Sequence, residues 1–109
     1  MSRAKGNIAE ERAVLFLEEG AYFIVQRNFY SRFGEIDIIA TKDDVLHFVE
    51  VKSGEDYELA IQNITPIKLS RLIKTCNVYL KKNSYEGDYM IDAIVVTPTD
   101  VVIVENITL

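Results

Sequence analysis

No run of apolar residues in this chain approaches the roughly 20 that a membrane-spanning helix requires, so no membrane span is expected. A single cysteine, Cys76, excludes an internal disulfide, which agrees with a reducing compartment. The first residues, Met1-Ser2-Arg3-Ala4-Lys5-Gly6, run into a charged helical segment rather than an apolar core. A secretory leader is therefore not expected, and the expected location is cytoplasmic. Repeats, low-complexity tracts and linkers rich in Pro, Gly or Ser are absent. Positive charge is in short supply as well: 12 Lys and Arg stand against 17 Asp and Glu, for a net charge of −5. A protein that coats nucleic acid makes its phosphate contacts through an excess of Lys and Arg, so the balance argues against that class. It leaves room for an enzyme that reaches phosphates through bound divalent cations, because such a site concentrates carboxylates itself.

What remains is ordinary globular composition, 49% apolar and 27% charged over 109 residues. That length predicts one domain, residues 1–109, with a single core. Ala4 to Glu19 reads as a helix closed by Gly20. Tyr22 to Asn28 is a β-type run, Phe29 to Phe33 a connection, and Gly34 to Thr41 a second strand. Lys42-Asp43-Asp44 is a polar turn leading into a third strand, Val45 to Lys52, so these two strands form a hairpin. Thr65 followed by Pro66 is a helix start, and Leu69, Leu72, Ile73, Cys76, Tyr79 and Leu80 recur on one face as far as Lys82. Tyr89 to Thr97 and Val101 to Glu105 are two further strands around Pro98-Thr99-Asp100. The order is α-β-β-β-α-β-β. The central strands carry apolar residues on both faces, which predicts an α/β fold of three layers, a mixed sheet of about five strands with helices on both faces.

Three features carry chemistry. On the first helix, Ala9, Ala13, Val14, Phe16 and Leu17 share one arc, and Glu10 falls inside it, between Leu17 and Val14. An ionised carboxylate facing a core is costly without a cation or hydrogen-bond partners; the plainer reading is a Glu at the edge of the arc whose head reaches water. On the second strand Glu35, Asp37 and Ile39 share a face, and on the third Leu46, Phe48, Glu50 and Lys52 do. The tight turn sets Asp37 roughly opposite Glu50. Like charges directly across a sheet destabilise it, and a divalent cation between them removes the conflict; Mg²⁺ takes one or two carboxylates plus waters and phosphate oxygens. Lys52 points the same way and is suited to orienting an attacking water or neutralising phosphoryl charge. Glu-x-Lys on a strand is by itself an everyday exposed ion pair. Joined to an acid in a helix arc and an acid on the neighbouring strand, it makes up the site pattern of the PD-(D/E)XK nucleases.

The segments Gly6-Asn7-Ile8-Ala9-Glu10-Glu11-Arg12-Ala13, Arg27-Asn28, Gly34-Glu35-Ile36-Asp37-Ile38-Ile39-Ala40 and Phe48-Val49-Glu50-Val51-Lys52 resemble the YraN family of small bacterial proteins. The resemblance extends to Lys68, Asp92 and Glu105-Asn106. It implies a restriction-endonuclease-like fold similar to that of Holliday-junction resolvases. It also implies Asp37 and Glu50 as metal ligands, Lys52 as catalytic lysine and Glu10 as an auxiliary acid, with Mg²⁺ or Mn²⁺ as cofactor, DNA as partner and a homodimer as the assembly. Three departures stand out: Tyr30, Gly54 and Met90 occupy positions where arginines are common in the family.

Other residues are read more plainly. His47 faces away from Glu50 and is expected to be a partly buried structural histidine; Cys76 lies in an apolar stripe and is expected to be inert. Arg71, Lys74, Lys81 and Lys82 form a solvated face or a phosphate-tracking surface, the former being preferred. Lys68 borders the stripe of the second helix, and Arg32, Lys68 and Arg71 are the candidate nucleic-acid contacts; Arg3, Lys5 and Arg12 add positive charge at the start. Tyr30 and Tyr57 are loop tyrosines able to stack on a base. The expected activity is metal-dependent hydrolysis of phosphodiesters in structured or branched DNA. The rival expectation is a non-catalytic module that binds nucleic acid or a partner and retains the nuclease fold.

Overall fold

Two short turns set the register of the first three strands. Arg32-Phe33 joins β1 (Phe23–Ser31) to β2 (Gly34–Lys42), and Asp43-Asp44 joins β2 to β3 (Val45–Ser53) in this computed structural model, which describes residues 2–108. The side chains of residues 2–6, Arg3 and Lys5 among them, lie outside the described residues. Asp43 and Asp44 have φ of 51° and 66°, the left-handed backbone that a two-residue hairpin turn demands at both central positions. With Lys42 paired to Val45, the residues of β2 from Ile38 to Lys42 each have a fixed partner on β3, from Val49 back to Val45.

From β3 the chain crosses over through two helices, α2 (Tyr57–Ile61) and α3 (Pro66–Lys82), and returns as β4 (Tyr89–Val96), parallel to β3. β5 (Val101–Val104) closes the sheet antiparallel to β4, so the strands lie in chain order, β1-β2-β3-β4-β5. The preceding helix α1 (Ser2–Glu19) covers one face, where Ala9, Ala13 and Leu17 bury against Ile38, Val49 and Ile94. The other face takes α3, whose Leu72, Cys76 and Tyr79 pack on Ile36, Phe48 and Ile91. This is the mixed α/β sheet, helices on both faces, that the sequence order predicts. Among the described residues no helix is long and apolar enough to cross a membrane.

Most strand ends shift by at most a single residue, and three differences from expectation are larger. The connection read from Phe29 to Phe33 is only Arg32-Phe33: Phe29, Tyr30 and Ser31 continue β1, and Phe29 is buried under α3 against Tyr79. The first helix starts at Ser2 rather than Ala4. The loop after Ser53 contains α2, capped by Asp56, whose carboxylate accepts the Leu59 N–H at 2.9 Å. Five residues are too few to display a helical period, although an N-cap Asp was there to be seen.

Candidate active site

The β2–β3 ladder runs from Lys42 and Val45 to Ile38 and Val49 and ends there, although both strands continue. One step further the same register sets Asp37 across from Glu50. Where strand pairing has stopped, the Asp37 carboxyl does the bonding instead: its Oδ2 accepts the Val51 N–H at 2.7 Å. On the other side of β2 the β1 ladder also skips a step, between Arg27–Ile38 and Phe29–Ile36. The skipped residue, Asn28, has φ of 58°, a left-handed conformation in mid-strand that asparagine tolerates better than most side chains. Both neighbours of β2 thus loosen around Asp37.

Glu10 reaches the same place from α1. Its carboxylate is largely covered, 13% exposed, as its place in the apolar arc predicts. Oε1 accepts hydrogen bonds from Arg27 Nη2 and from Asn28 Nδ2, each at 3.2 Å. Arg27 also forms an ion pair with Glu11, Nη1 to Oε1 at 2.6 Å. The cost of covering Glu10 is therefore offset in part by a charge-assisted partner from β1. Lys52 Nζ sits 3.2 Å from Glu50 Oε2, both side chains about one-fifth exposed.

Glu10 and Asp37 line an open cavity of about 560 Å³ together with Asn28, Tyr30, Glu35 and Ser53, and Glu50 and Lys52 lie outside its lining. Its electrostatics are those of crowded acids. Burial pushes the Asp37 carboxyl up to about 9, assisted by its hydrogen bond to Glu50 and the charge of that neighbour. Glu35 is raised as well, by burial first and then by Glu50 and Glu10. Glu50 lies on the α3 side of the sheet: together with burial, which dominates, its charge helps push the Cys76 thiol up to about 12. Cys76 is buried and free, in keeping with an inert core thiol.

Among the described residues no three His, Cys, Asp or Glu side chains converge into a ready-made metal cluster. The Asp37–Glu50 pair nevertheless fits a hard divalent cation. It offers carboxylate oxygens only, and burial beside Glu50 raises the Asp37 carboxyl, a conflict between two acids that a cation would relieve. Glu10 is committed to Arg27 and Asn28 and stands beside this pair.

The structure sets Asp37, Glu50 and Lys52 close together past the end of the hairpin ladder and places Glu10 with Asp37 on the cavity wall, beside residues that the sequence pattern did not single out for a role. Arg27 and Asn28 hold Glu10; Glu35 lines the cavity. An asparagine inside a β-type run was the one available signal, since asparagine is depleted in regular strands. The three candidate nucleic-acid contacts lie outside the cavity. Arg32 is exposed in the β1–β2 turn, its guanidinium 4.8 Å from the Phe33 ring centre, and Lys68 and Arg71 are exposed on α3. His47 is more deeply buried than expected. Its Nδ1 lies 2.6 Å from Oδ2 of the fully buried Asp92, remote from Glu50 on the opposite face of β3.

The departures have local consequences. A Cβ at Gly54 would meet Ala60 Cβ at 3.3 Å, so α2 packs directly on this glycine and leaves a long side chain no room there without shifting. Tyr30 belongs to β1, not to a loop, and is exposed at the cavity edge.

A model of the uncharacterised protein family UPF0102 matches residues 9–104. The chain belongs to the UPF0102 family. This is the YraN family that the sequence segments resemble. The chain is 70% identical to a UPF0102 protein of Sulfurimonas denitrificans over the whole of both chains. It is 55% identical, again over both full lengths, to one of Wolinella succinogenes. Identity to a UPF0102 protein of Helicobacter hepaticus is 48%, over 99% of this chain and 97% of the relative. The UPF0102 descriptions name no activity, so chemistry has to be argued from the carboxylates themselves.

Proposed function

We propose that this UPF0102 protein is a Mg²⁺- or Mn²⁺-dependent endonuclease that hydrolyses phosphodiesters in structured or branched DNA. The observation that supports it most is the Asp37–Glu50 pair, two carboxyls set against each other where the hairpin ladder ends, with Lys52 beside them. Asp37 and Glu50 would hold the cation, and Val51 N–H fixes the orientation of the Asp37 carboxyl. A divalent cation, when bound, polarises the scissile phosphate and makes water more acidic. Lys52, tethered to Glu50, places a positive charge where a phosphoryl group would gain negative charge in the transition state. Glu10, oriented by Arg27 and Asn28, would offer the cavity a hydrogen-bond acceptor. A homodimer would present two such sites, which suits a branched substrate.

The departures at Tyr30, Gly54 and Met90 favour the second reading, a non-catalytic module that binds nucleic acid or a partner and has kept the fold. Cleavage assays separate the two. Branched, flapped and single-stranded DNA should be cut in the presence of Mg²⁺ or Mn²⁺, and Lys52→Ala should lower turnover by roughly 10²-fold or more with a much smaller effect on substrate binding. No cutting of any substrate, or equal cutting by Lys52→Ala, rejects the endonuclease.

A further inference from the structure

Helix α3 carries five of the chain's twelve basic residues and none of its seventeen acidic ones. The acid-free stretch reaches from Leu59 to Tyr85. In a chain of net charge −5 this is a strong polarisation. It also costs stability: Lys68, Arg71 and Lys74 follow one another at three-residue spacing, and like charges so placed on a helix repel. An ordinary solvated face relieves such repulsion with interspersed acids. This one has none.

Packing orients the stripe. Thr75, one residue beyond Lys74, is buried, and its Oγ1 lies 2.8 Å from Ser31 Oγ at the end of β1. That contact docks the basic flank of α3 against the β1–β2 turn. Arg32 from the turn and Lys74 from the helix both approach the Phe33 ring, at 4.8 Å and 5.6 Å from its centre. The aromatic ring thus gathers two cations from different elements. The next register pair along this hairpin, Tyr30 with Glu35, lines the carboxylate cavity. The basic face therefore begins one register step from the cavity mouth.

We infer that this face, Arg32 with Lys68, Arg71 and Lys74, binds the sugar–phosphate backbone of a DNA strand and leads it to the carboxylate cavity. The inference rests on the endonuclease reading for its destination, but the binding surface can be tested without cleavage. Lys81 and Lys82 are left out because cations in the last turn already complement the helix dipole.

The experiment is fluorescence anisotropy of a short labelled single-stranded DNA with the full chain in Ca²⁺, titrated with salt. Two variants are compared: Arg71→Gln/Lys74→Gln on the face, and Lys42→Gln at the opposite end of the β2–β3 hairpin. Circular dichroism and melting confirm that each is folded; Arg71 and Lys74 are exposed, and Lys42 is half-buried beside the Tyr22 ring. Removing two phosphate contacts should reduce the magnitude of the log–log salt slope by about 1.4, at about 0.7 per contact for a single strand, and weaken binding about tenfold. Lys42→Gln should leave both unchanged. Unchanged affinity and slope in the double variant, or an equal loss in Lys42→Gln, overturns the assignment. Asp37→Asn/Glu50→Gln, assayed alongside for cleavage in Mg²⁺, addresses the carboxylate site alone, so failure of one reading is distinguishable from failure of the other.

Discussion

Asp37 faces Glu50 across a hairpin whose ladder ends one residue earlier, at Ile38 and Val49. Burial and the neighbouring Glu50 push the Asp37 carboxyl up to about 9, and its Oδ2 accepts the Val51 N–H at 2.7 Å. A ligand that binds only the folded chain raises its melting temperature, so Mn²⁺ or Mg²⁺ should do so here. Asp37→Asn/Glu50→Gln should abolish that rise, while the metal-free double variant melts no lower than the parent because its uncharged amides leave no carboxylate to be desolvated there. Thermal melts with and without metal check both statements. Equal metal stabilisation of variant and parent removes this pair as the ligands.

The same pair sets a pH dependence in metal-free solution. Asp37 is shifted from its ordinary value of 3.8 up to about 9. Between those values the folded chain keeps a proton that the unfolded chain has released. Stability is proportionately lost wherever the folded state binds more protons and pH rises. The contribution is therefore present in full below the unfolded value and declines as pH climbs towards the folded one. Melting temperature should fall by several degrees between about pH 5 and about pH 8, and Asp37→Asn should flatten that fall. Parallel pH profiles for parent and variant would show that Asp37 carries no such proton.

Asn28 combines a left-handed φ of 58° with a hydrogen bond to Glu10, and substitutions separate the two. Asn28→Gly keeps the backbone conformation and should change the urea midpoint little. Asn28→Val forces a β-branched residue into that region and should cost about 1–2 kcal/mol. Both variants lose the bond to Glu10, so both should weaken metal-dependent cleavage to a similar degree. A valine variant as stable as the glycine variant would show that the backbone at this position relaxes freely.

Much of this site was legible because its geometry follows from short-range rules. The Asp43-Asp44 turn fixes the register, strand alternation puts Asp37, Glu50 and Lys52 on one side, and helical spacing turns Glu10 inward. Residues that act across elements were harder to read. Arg27 and Asn28 meet Glu10 only because β1 runs under α1, and no spacing in the sequence reports that contact. The orientation of α3 is of the same kind: the docking of Thr75 on Ser31, which turns its basic flank towards the hairpin, is a long-range contact. Phe29 to Ser31 looked like a connection because Arg27 and Asn28 interrupt the apolar pattern before them, yet burial of Phe29 under α3 keeps the strand going.

His47 and Asp92 offer a prediction about the opposite end of the sheet. Their side chains are 6% and 0% exposed, and Asp92 Oδ1 also accepts the Asn106 N–H at 2.9 Å. This bond and the Ile107 N–H to Ile91 carbonyl bond, 2.8 Å, tie the segment after β5 back onto β4. Removing one member of a buried pair leaves the other desolvated without a partner, which typically costs about 3–5 kcal/mol. Asp92→Ala should therefore be strongly destabilising, and His47→Ala less so, because Asp92 retains the Asn106 bond. Replacing both with apolar residues of similar volume, His47→Phe with Asp92→Leu, should recover part of the loss; the Asn106 N–H, still without its acceptor, limits the recovery. At a temperature where all variants are folded, metal binding at Asp37 and Glu50 should be unchanged, since the pair lies on the face of β3 away from them. Chemical denaturation of the single and double variants measures the coupling, and strictly additive losses would show that His47 and Asp92 do not stabilise each other.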